Sequence, residues 1–285
     1  AWLKHYYPLE FFVAIFNQQP MGFWGLETLK QDAQKHGIKV LNPDVNLSGK
    51  QCEIEGYSIR LGLSSVGNIG DSMAETIVDE RNINGAFLSL DDFMRRGGLQ
   101  RHGLESLIKA GAFDHFGVDR RRLLWEAGIR YTPIGRQMPM SLPSEQDMVD
   151  LKNTNHHEIM TQEYETLGLY PNGHIMEELR RYLPKDVVRS KDLFNYEDGK
   201  KVKIAGVVAR PLQHPLAGAY FISLEDEYGF LPLIIWPSVY RKYKRVLREM
   251  LIVVTGRISR REGTFNIIVD FAYVPQMQSE DVNKL

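Results

Sequence analysis

Cysteine is nearly absent from this sequence, whose 285 residues include only Cys52. A single thiol cannot form a disulfide within the chain, and it excludes a zinc site built from several cysteines. Such cysteine usage is typical of a reducing compartment. The sequence also contains no secretory signal and no apolar run long enough to cross a bilayer. We therefore expect a cytoplasmic protein that has no membrane partner.

Motifs of enzyme chemistry are scarce as well. The sequence contains no Walker phosphate-binding loop, no G-x-S-x-G and no H-E-x-x-H motif. The pair Asp91-Asp92 lies at a predicted helix start, where capping explains it, and we expect the side chains of Glu225-Asp226-Glu227 to be solvated before a turn. The adjacent His156 and His157 cannot share one helix face. We therefore expect neither a catalytic residue nor a divalent metal site in this chain.

Charge is balanced overall but unevenly distributed. The 35 basic and 36 acidic residues give a formal net charge of −1. Acidic side chains dominate residues 141–178, whereas Lys and Arg dominate residues 200–262. A basic module beside an acidic segment is compatible with a polyanionic partner, although for the run Arg241–Arg248 alone a solvated helix face is the favoured explanation.

The most informative motif is a tight turn, Gly67-Asn68-Ile69-Gly70, between two helices predicted within Leu61–Arg81. Glycine permits left-handed or closely approaching backbone, asparagine tolerates it, and Asp71 or Ser72 is expected to cap the second helix. Such a turn leaves backbone N–H groups available to a phosphate, as in helix-hairpin-helix elements that bind DNA. Two glycines that serve helix packing alone would give the same pattern.

These and other patterns divide the chain into four predicted regions. Residues 1–60 are expected to form helices with a small β element, and residues 61–130 a tandem of helical hairpins, the second of them within Leu99–Asp114. Prolines predict a linker with short helices over 131–198. Residues 199–278 follow the order β-β-β-α-β-β of a five-stranded OB-fold barrel. The predicted fold class is therefore multidomain α+β.

The predicted barrel carries its own candidate binding residues. OB-folds bind single strands through a basic groove and stacked aromatic rings. Alternation along the strands places most of the aromatic side chains in the core, so we expect at most two to be exposed for binding. The candidates are Arg210, Tyr220, Arg257, Arg260 and Arg261.

Five sequence segments occur in a characteristic order along the chain. They are Gln19-Pro-Met-Gly-Phe-Trp24, Gln31-Asp-Ala-Gln-Lys-His-Gly-Ile-Lys-Val40, Val66-Gly-Asn-Ile-Gly70, Leu104-Glu-Ser-Leu-Ile-Lys-Ala-Gly-Ala-Phe-Asp114 and Phe221-Ile-Ser-Leu-Glu-Asp-Glu-Tyr-Gly229. In this order they resemble the fingers, the tandem helix-hairpin-helix and the OB-fold of the bacterial C-family DNA polymerases. The resemblance is greatest to the error-prone paralogues of the polymerase III alpha subunit.

The resemblance implies that this chain is the C-terminal portion of a DNA-directed DNA polymerase, a nucleotidyltransferase of translesion synthesis and DNA repair. The catalytic aspartates of the family's palm, which bind Mg²⁺, and its N-terminal phosphoesterase domain are not in this sequence. We therefore expect no nucleotide incorporation by this chain alone. The family also implies a bacterial cytoplasmic protein associated with the nucleoid.

The resemblance further implies two DNA contacts. Asn68, Ile69, Gly70 and Asp71 would hold duplex phosphates through backbone N–H groups of the turn, helped by Arg101 and Lys109, and a monovalent cation could bind the carbonyls of the turn. The OB-fold would bind single-stranded template or a partner protein. Asn68 departs from the glycine common in the family, so we expect its side chain to crowd a phosphate.

Protein partners are less well defined. Gln146-Asp-Met-Val-Asp-Leu151 is a degenerate candidate for the family's sliding-clamp peptide, and it lacks the aromatic end that fills the clamp pocket. We therefore expect any contact with the clamp to be indirect. The alternative to DNA holding is a protein-interaction scaffold that recruits accessory replication and repair factors and has little DNA affinity of its own.

Overall fold

The computed structural model describes residues 2–21, 25–131, 151–210, 218–261 and 264–275. These residues form two compact units. The first unit draws its described residues from Ala1–Met21 and Leu29–Asn172, and the second from Gly22–Thr28 and Gly173–Leu285.

Helices dominate the chain up to residue 172. They are α1 (Trp2–Tyr6), α2 (Pro8–Asn17), α3 (Leu26–Lys35), α4 (Asp71–Asn84), α5 (Leu90–Arg96), α6 (Arg101–Lys109), α7 (Arg120–Arg130) and α8 (His156–Leu167). Three short strands, β1 (Lys39–Leu41), β2 (Glu53–Glu55) and β3 (Ser58–Arg60), form a small sheet in the order β1-β3-β2. Single 3₁₀ turns occur at Leu63–Ser65 and Asp114–Phe116.

The predicted helices before residue 60 are confirmed, with small shifts at their ends. Pro8 begins α2, because a missing N–H costs nothing in the first turn of a helix. Phe12 and Phe16 of this helix are buried. Gly37 has a φ of +76° just beyond α3, as expected for a residue that ends a helix. Strand β2 was not predicted, since all three of its residues are exposed and show no alternation.

The helical hairpins bury a set of apolar side chains. Helix α4 follows the 3₁₀ turn at Leu63–Ser65, and α5 and α6 follow each other across residues 97–100. The prediction that Asp71 or Ser72 caps α4 is wrong, because the N-cap residue is Gly70 and no side chain caps this end. The buried apolar residues of this region include Leu63, Val66, Ile69, Ala74, Ile77, Leu104, Leu107 and Ile108.

Part of the predicted linker is a packed helix. Asn155 is the N-cap of α8 and forms a capping box, in which its side chain accepts from the Glu158 N–H and the Glu158 carboxylate accepts from the Asn155 N–H. Helix α8 packs against α6 and belongs to the same compact unit. In its described part, residues 151–172 are therefore a structural component of the hairpin unit and not a spacer.

The second unit contains the predicted barrel. Its strands are β4 (Val187–Val188), β5 (Lys201–Arg210), β6 (Tyr220–Asp226), β7 (Gly229–Ile235), β8 (Leu251–Arg261) and β9 (Thr264–Tyr273). Helices α9 (Ile175–Leu179) and α10 (Pro237–Tyr243) flank them. The strand order is β4-β5-β6-β7-β9-β8, and antiparallel pairing of β5 with β8 closes the barrel.

The five long strands confirm the predicted OB-fold order. Strands β7 and β9 pair in parallel, and α10 lies between β7 and β8 in the chain. Strand β4 was not predicted; it pairs in parallel with β5 over only two residues. Alternate residues of the strands fill the barrel core, which includes Val202, Ile204, Ile222, Leu224, Leu231, Leu233, Ile252, Val254 and Ile267. Among the described residues, no helix is long and apolar enough to span a membrane.

The start of α7 generates a stability prediction. The Asp119 carboxylate accepts the backbone N–H of Arg121 at 2.9 Å and both the N–H and the hydroxyl of Thr154, at 2.8 and 2.9 Å. Burial opposes the charged form, but these hydrogen bonds outweigh burial and lower the pKa of Asp119 below its usual 3.8. We expect Asp119→Ala to lower the free energy of unfolding by about 1–2 kcal/mol at pH 7.

The sign of the pH dependence follows from the lowered pKa. The carboxylate contributes stability above its unfolded pKa, and this contribution is lost as the pH falls through the folded value. Urea unfolding at pH 7 and near pH 3 measures the free energy of unfolding of Asp119→Ala and of the parent protein. The difference between the two proteins should be smaller at the lower pH. Substitution of the exposed Asp79 on α4 is the control; an equal loss there would contradict the assignment.

Candidate nucleic-acid interface

The turn between the 3₁₀ segment and α4 is held from two sides. Asn68 has a φ of +65°, and it is the one described residue other than glycine with a positive φ. Its side-chain amide donates to the Ser106 hydroxyl of α6 at 2.9 Å. The Gly67 N–H donates to the Thr166 carbonyl of α8 at 2.7 Å. The left-handed residue of the turn is therefore Asn68, and neither Gly67 nor Gly70 adopts that conformation.

Gly67 instead allows the turn to approach the backbone of α8 closely. A Cβ at this position would lie 3.3 Å from the Thr166 carbonyl oxygen, which is tighter than most side-chain contacts. Gly103 of α6 has a similar role, because a Cβ there would lie 3.2 Å from the Ile69 Cδ1. The Asn68-Ile69 turn therefore rests on the first turn of α6, and Ile69 is buried by this contact.

The backbone N–H groups of the turn that are available to a phosphate differ from the predicted ones. The Ile69 N–H donates to the Val66 carbonyl at 3.0 Å, so it is used within the turn. Within the described part of the chain, the N–H groups of Gly70, Asp71 and Ser72 donate to no protein acceptor, as expected for the first turn of a helix. Ser72 was missed as a candidate, since the sequence alone did not fix where α4 begins.

Charged side chains around the hairpins are paired with one another. The exposed Arg101 Nε lies 2.7 Å from Glu105 Oε1, and Lys109 Nζ lies 3.4 Å from Glu165 Oε2. Lys50 Nζ lies 3.8 Å from Asp71 Oδ2. Lys50 was not among the predicted site residues. Exposed pairs of this kind contribute little stability, so a phosphate can replace the carboxylate partner at small cost.

A buried ion pair fixes the base of the second hairpin. The Arg120 guanidinium contacts Glu163 Oε1 at 2.7 Å and donates to the Lys109 carbonyl at 2.9 Å. Asn42 donates to the same Glu163 oxygen at 2.7 Å. Burial raises the pKa of Glu163, and Arg120 and Asn42 offset only part of this rise. The pair therefore joins α8, α7 and the end of α6.

Two of the predicted barrel residues serve packing. The Arg260 guanidinium donates to the carbonyls of Phe194 and Tyr196, at 2.9 and 3.0 Å, and so holds the end of the 3₁₀ helix Ser190–Asn195. The Tyr220 ring stacks on Tyr240 with centroids 3.8 Å apart, which covers one of its faces. Both side chains therefore have structural partners that the sequence did not reveal.

The remaining barrel candidates differ in their surroundings. Arg257 is exposed, and its Nε lies 3.5 Å from Asp270 Oδ2. Arg261 is exposed at the end of β8. The backbone of Arg210 ends β5, and its side chain lies outside the described part of the chain. A role for these three residues in binding stays a prediction.

The acidic run at the β6–β7 turn corrects an expectation. We expected Glu225-Asp226-Glu227 to be solvated, but the side chains of Asp226 and Glu227 are only 0% and 5% exposed, and Glu225 is buried. Arg180 pairs with Asp226 at 3.0 Å and also contacts Glu227. Among the described residues, no group of three or more His, Cys, Asp or Glu side chains could hold a metal ion.

Asn68 generates a prediction about the turn. Asn68→Ala removes the hydrogen bond to Ser106 and places alanine, which adopts left-handed backbone less readily than asparagine, at a positive φ. We therefore expect a loss of about 2 kcal/mol in the free energy of unfolding. Asn68→Gly loses the hydrogen bond alone and should cost about half as much. Chemical denaturation of both variants checks the order. A glycine variant less stable than the alanine variant would contradict the role of the backbone.

Family comparisons agree with this architecture. Residues 37–123 match the family model of the helix-hairpin-helix motif, and residues 202–275 match that of the OB-fold nucleic acid binding domain. Together, the two domains indicate nucleic-acid binding. Among solved structures, asparaginyl-tRNA synthetase from Pyrococcus horikoshii aligns with 34% of this chain and 24% of its own, at 25% identity and a TM-score of 0.28. That likeness is too slight to carry an argument.

Curated relatives cover nearly the whole chain. It is 34% identical over 278 residues to the error-prone DNA polymerase of Mycolicibacterium paratuberculosis. Identity is 32% over 276 residues for the Corynebacterium efficiens enzyme and 32% over 285 residues for that of Anaeromyxobacter sp. strain K. Each alignment covers 95% of this chain and 25% of the relative. The resemblance to error-prone DNA polymerases is therefore confirmed, over a stretch that spans a quarter of the length of those relatives.

Proposed function

We propose that this chain holds DNA for an error-prone DNA polymerase and that it incorporates no nucleotides by itself. The observation that carries the proposal is the turn at residues 67–70, which leaves the N–H groups of Gly70, Asp71 and Ser72 without a protein acceptor among the described residues. Backbone N–H groups at a helix start are suited to a phosphate. The helix-hairpin-helix match over residues 37–123 supports the same use.

The side chains around the turn extend this surface. Arg101 begins α6, on which the turn rests, and Lys109 ends it. The Asn68 amide donates to the Ser106 hydroxyl, so α6 holds this side chain in place. Duplex phosphates would therefore contact the start of α4 and, through Arg101 and Lys109, both ends of α6. A monovalent cation on the carbonyls of the turn remains part of this proposal.

The barrel would bind single-stranded template, using exposed cations such as Arg257 and Arg261. The whole polymerase would use Mg²⁺ held by residues of other regions and would act in translesion repair within the bacterial cytoplasm, at the nucleoid. Accessory translesion proteins are further proposed partners. The candidate sliding-clamp peptide, residues 146–151, lies almost wholly outside the described residues, and a clamp contact, if made, would be indirect.

Exposed apolar side chains on the barrel favour a second candidate function. Phe221 and Trp236 are each about half exposed, and apolar side chains at a surface are suited to protein contacts. In this alternative, the chain is a scaffold that recruits accessory replication and repair factors and binds DNA weakly.

Binding of a primed duplex oligonucleotide, followed by fluorescence anisotropy over a range of salt concentrations, discriminates the two functions. We expect affinity to fall steeply with salt, because binding to phosphates releases counterions. Arg101→Ala and Lys109→Ala should each weaken binding severalfold and reduce the salt slope by about 0.9 for each phosphate that the variant no longer neutralises.

Arg122→Ala is the matched control for Arg101→Ala. Arg122 is exposed to nearly the same extent, 58% against 55%, and it also pairs with a glutamate four residues on. Duplex affinity that does not change with salt would exclude the DNA-holding function. An equal loss of affinity from Arg122→Ala would contradict a specific role for Arg101.

A further inference from the structure

The turn between β6 and β7 presents an aromatic ring flanked by two cations. Tyr228 is 40% exposed. Lys191 Nζ lies over the Tyr228 ring in a cation–π contact, 4.0 Å from its centroid, and the guanidinium carbon of Arg189 lies over the ring at 5.9 Å. Within the described chain, Lys191 has no carboxylate at salt-bridge distance, and Arg189 reaches only Glu227, at 4.0 Å. We call these three residues the Tyr228 platform.

One buried carboxylate builds this platform. Asp226 Oδ1 accepts the N–H groups of Tyr228 and Gly229, at 2.9 and 3.1 Å, and so fixes the turn. The same carboxylate accepts the hydroxyl and the N–H of Ser190, at 2.5 and 2.8 Å. Ser190 stands between Arg189 and Lys191 in the chain. Asp226 therefore fixes both the segment that carries the ring and the segment that carries the cations.

The three acidic side chains of the β6–β7 turn are buried, whereas Asp192, which follows Lys191 in the chain, is half-buried. Asp226 and Glu227 are buried against Arg180, and Glu225 is buried with one oxygen 3.1 Å from the Thr28 hydroxyl. The exposed groups of the platform are consequently a ring and two positive charges. Polyanions that also carry flat, stacking groups match this combination, and single-stranded nucleic acid is such a ligand.

We propose that the Tyr228 platform binds single-stranded nucleic acid, with a base stacked on Tyr228 and phosphates paired with Arg189 and Lys191. This inference rests on the proposed function, because it names the surface with which the barrel would hold a strand. An acidic peptide could use the two cations but would leave the ring without a stacking partner. Stacking on a tyrosine also accepts any base, which suits a contact without sequence preference.

Anisotropy with a labelled oligothymidine tests the platform in the whole chain. Tyr228→Ala should weaken binding about tenfold, whereas Tyr228→Trp, which keeps a stacking surface, should retain it. Lys191→Ala should weaken binding severalfold and lower the salt slope by about 0.7, the value for one phosphate of a single strand.

The control is Lys242→Ala. Lys242 is an exposed lysine of the same unit, and its Nζ also lies near a ring, 5.1 Å from the centroid of Tyr243. Tyr243 is partly buried against the barrel core and does not form a free platform. This variant removes the same charge and should leave both affinity and slope unchanged.

Each remaining outcome decides against the proposal in a distinct way. Oligothymidine binding that Tyr228→Ala and Lys191→Ala leave unchanged would overturn the platform but keep a single-strand site elsewhere on the barrel. Tight binding of a poly-glutamate peptide, abolished equally in both variants, would assign the surface to an acidic protein. Because duplex binding depends on Arg101 and Lys109, failure of the platform would leave the hairpin function standing.

Discussion

The hairpin surface around residues 67–70 and the Tyr228 platform both depend on one constraint, the free-energy cost of burying a carboxylate. A carboxylate removed from water must be satisfied by nearby donors, and those donors become fixed in place. Glu163 fixes Arg120 and Asn42 beneath the second hairpin. Asp226 fixes Ser190 and the β6–β7 turn. In the hairpin unit, Glu163 acts through Arg120 on the Lys109 carbonyl at the end of α6. In the barrel, Asp226 holds the two segments that carry the Tyr228 platform.

The sequence predicted the barrel well because its signals are local. Apolar residues alternate along β5 to β9, and glycines or a proline mark several of the ends, as at Gly229 and Pro237. The helices of the hairpins were equally clear, since Leu104, Leu107 and Ile108 recur with helical spacing. In these segments the local pattern and the tertiary packing agree, and only the ends of the helices and strands differ from the predicted ones.

The buried acids could not be predicted for the opposite reason. Glu163 meets Arg120 across 43 residues and Asn42 across 121. Nothing near Glu163 in the sequence distinguishes it from the exposed Glu165 two positions later. Asp226 looked like a residue of a solvated turn, because its partners Arg180 and Ser190 lie 46 and 36 residues away. Long-range partners, and not residue type, decided which acids became structural.

The same reasoning separates binding aromatics from packing aromatics. Tyr220 lies within a strand, where a neighbouring helix can reach it, and Tyr240 of α10 does so. Tyr228 lies in a two-residue turn, beyond the strand alternation that directs side chains into the core. A turn exposes its side chain but leaves the ring's position undefined unless the backbone is held, and Asp226 holds it through two N–H groups. Rigid exposure of this kind lowers the entropy lost on stacking a base, which makes Tyr228 better suited than Tyr220 to bind a strand.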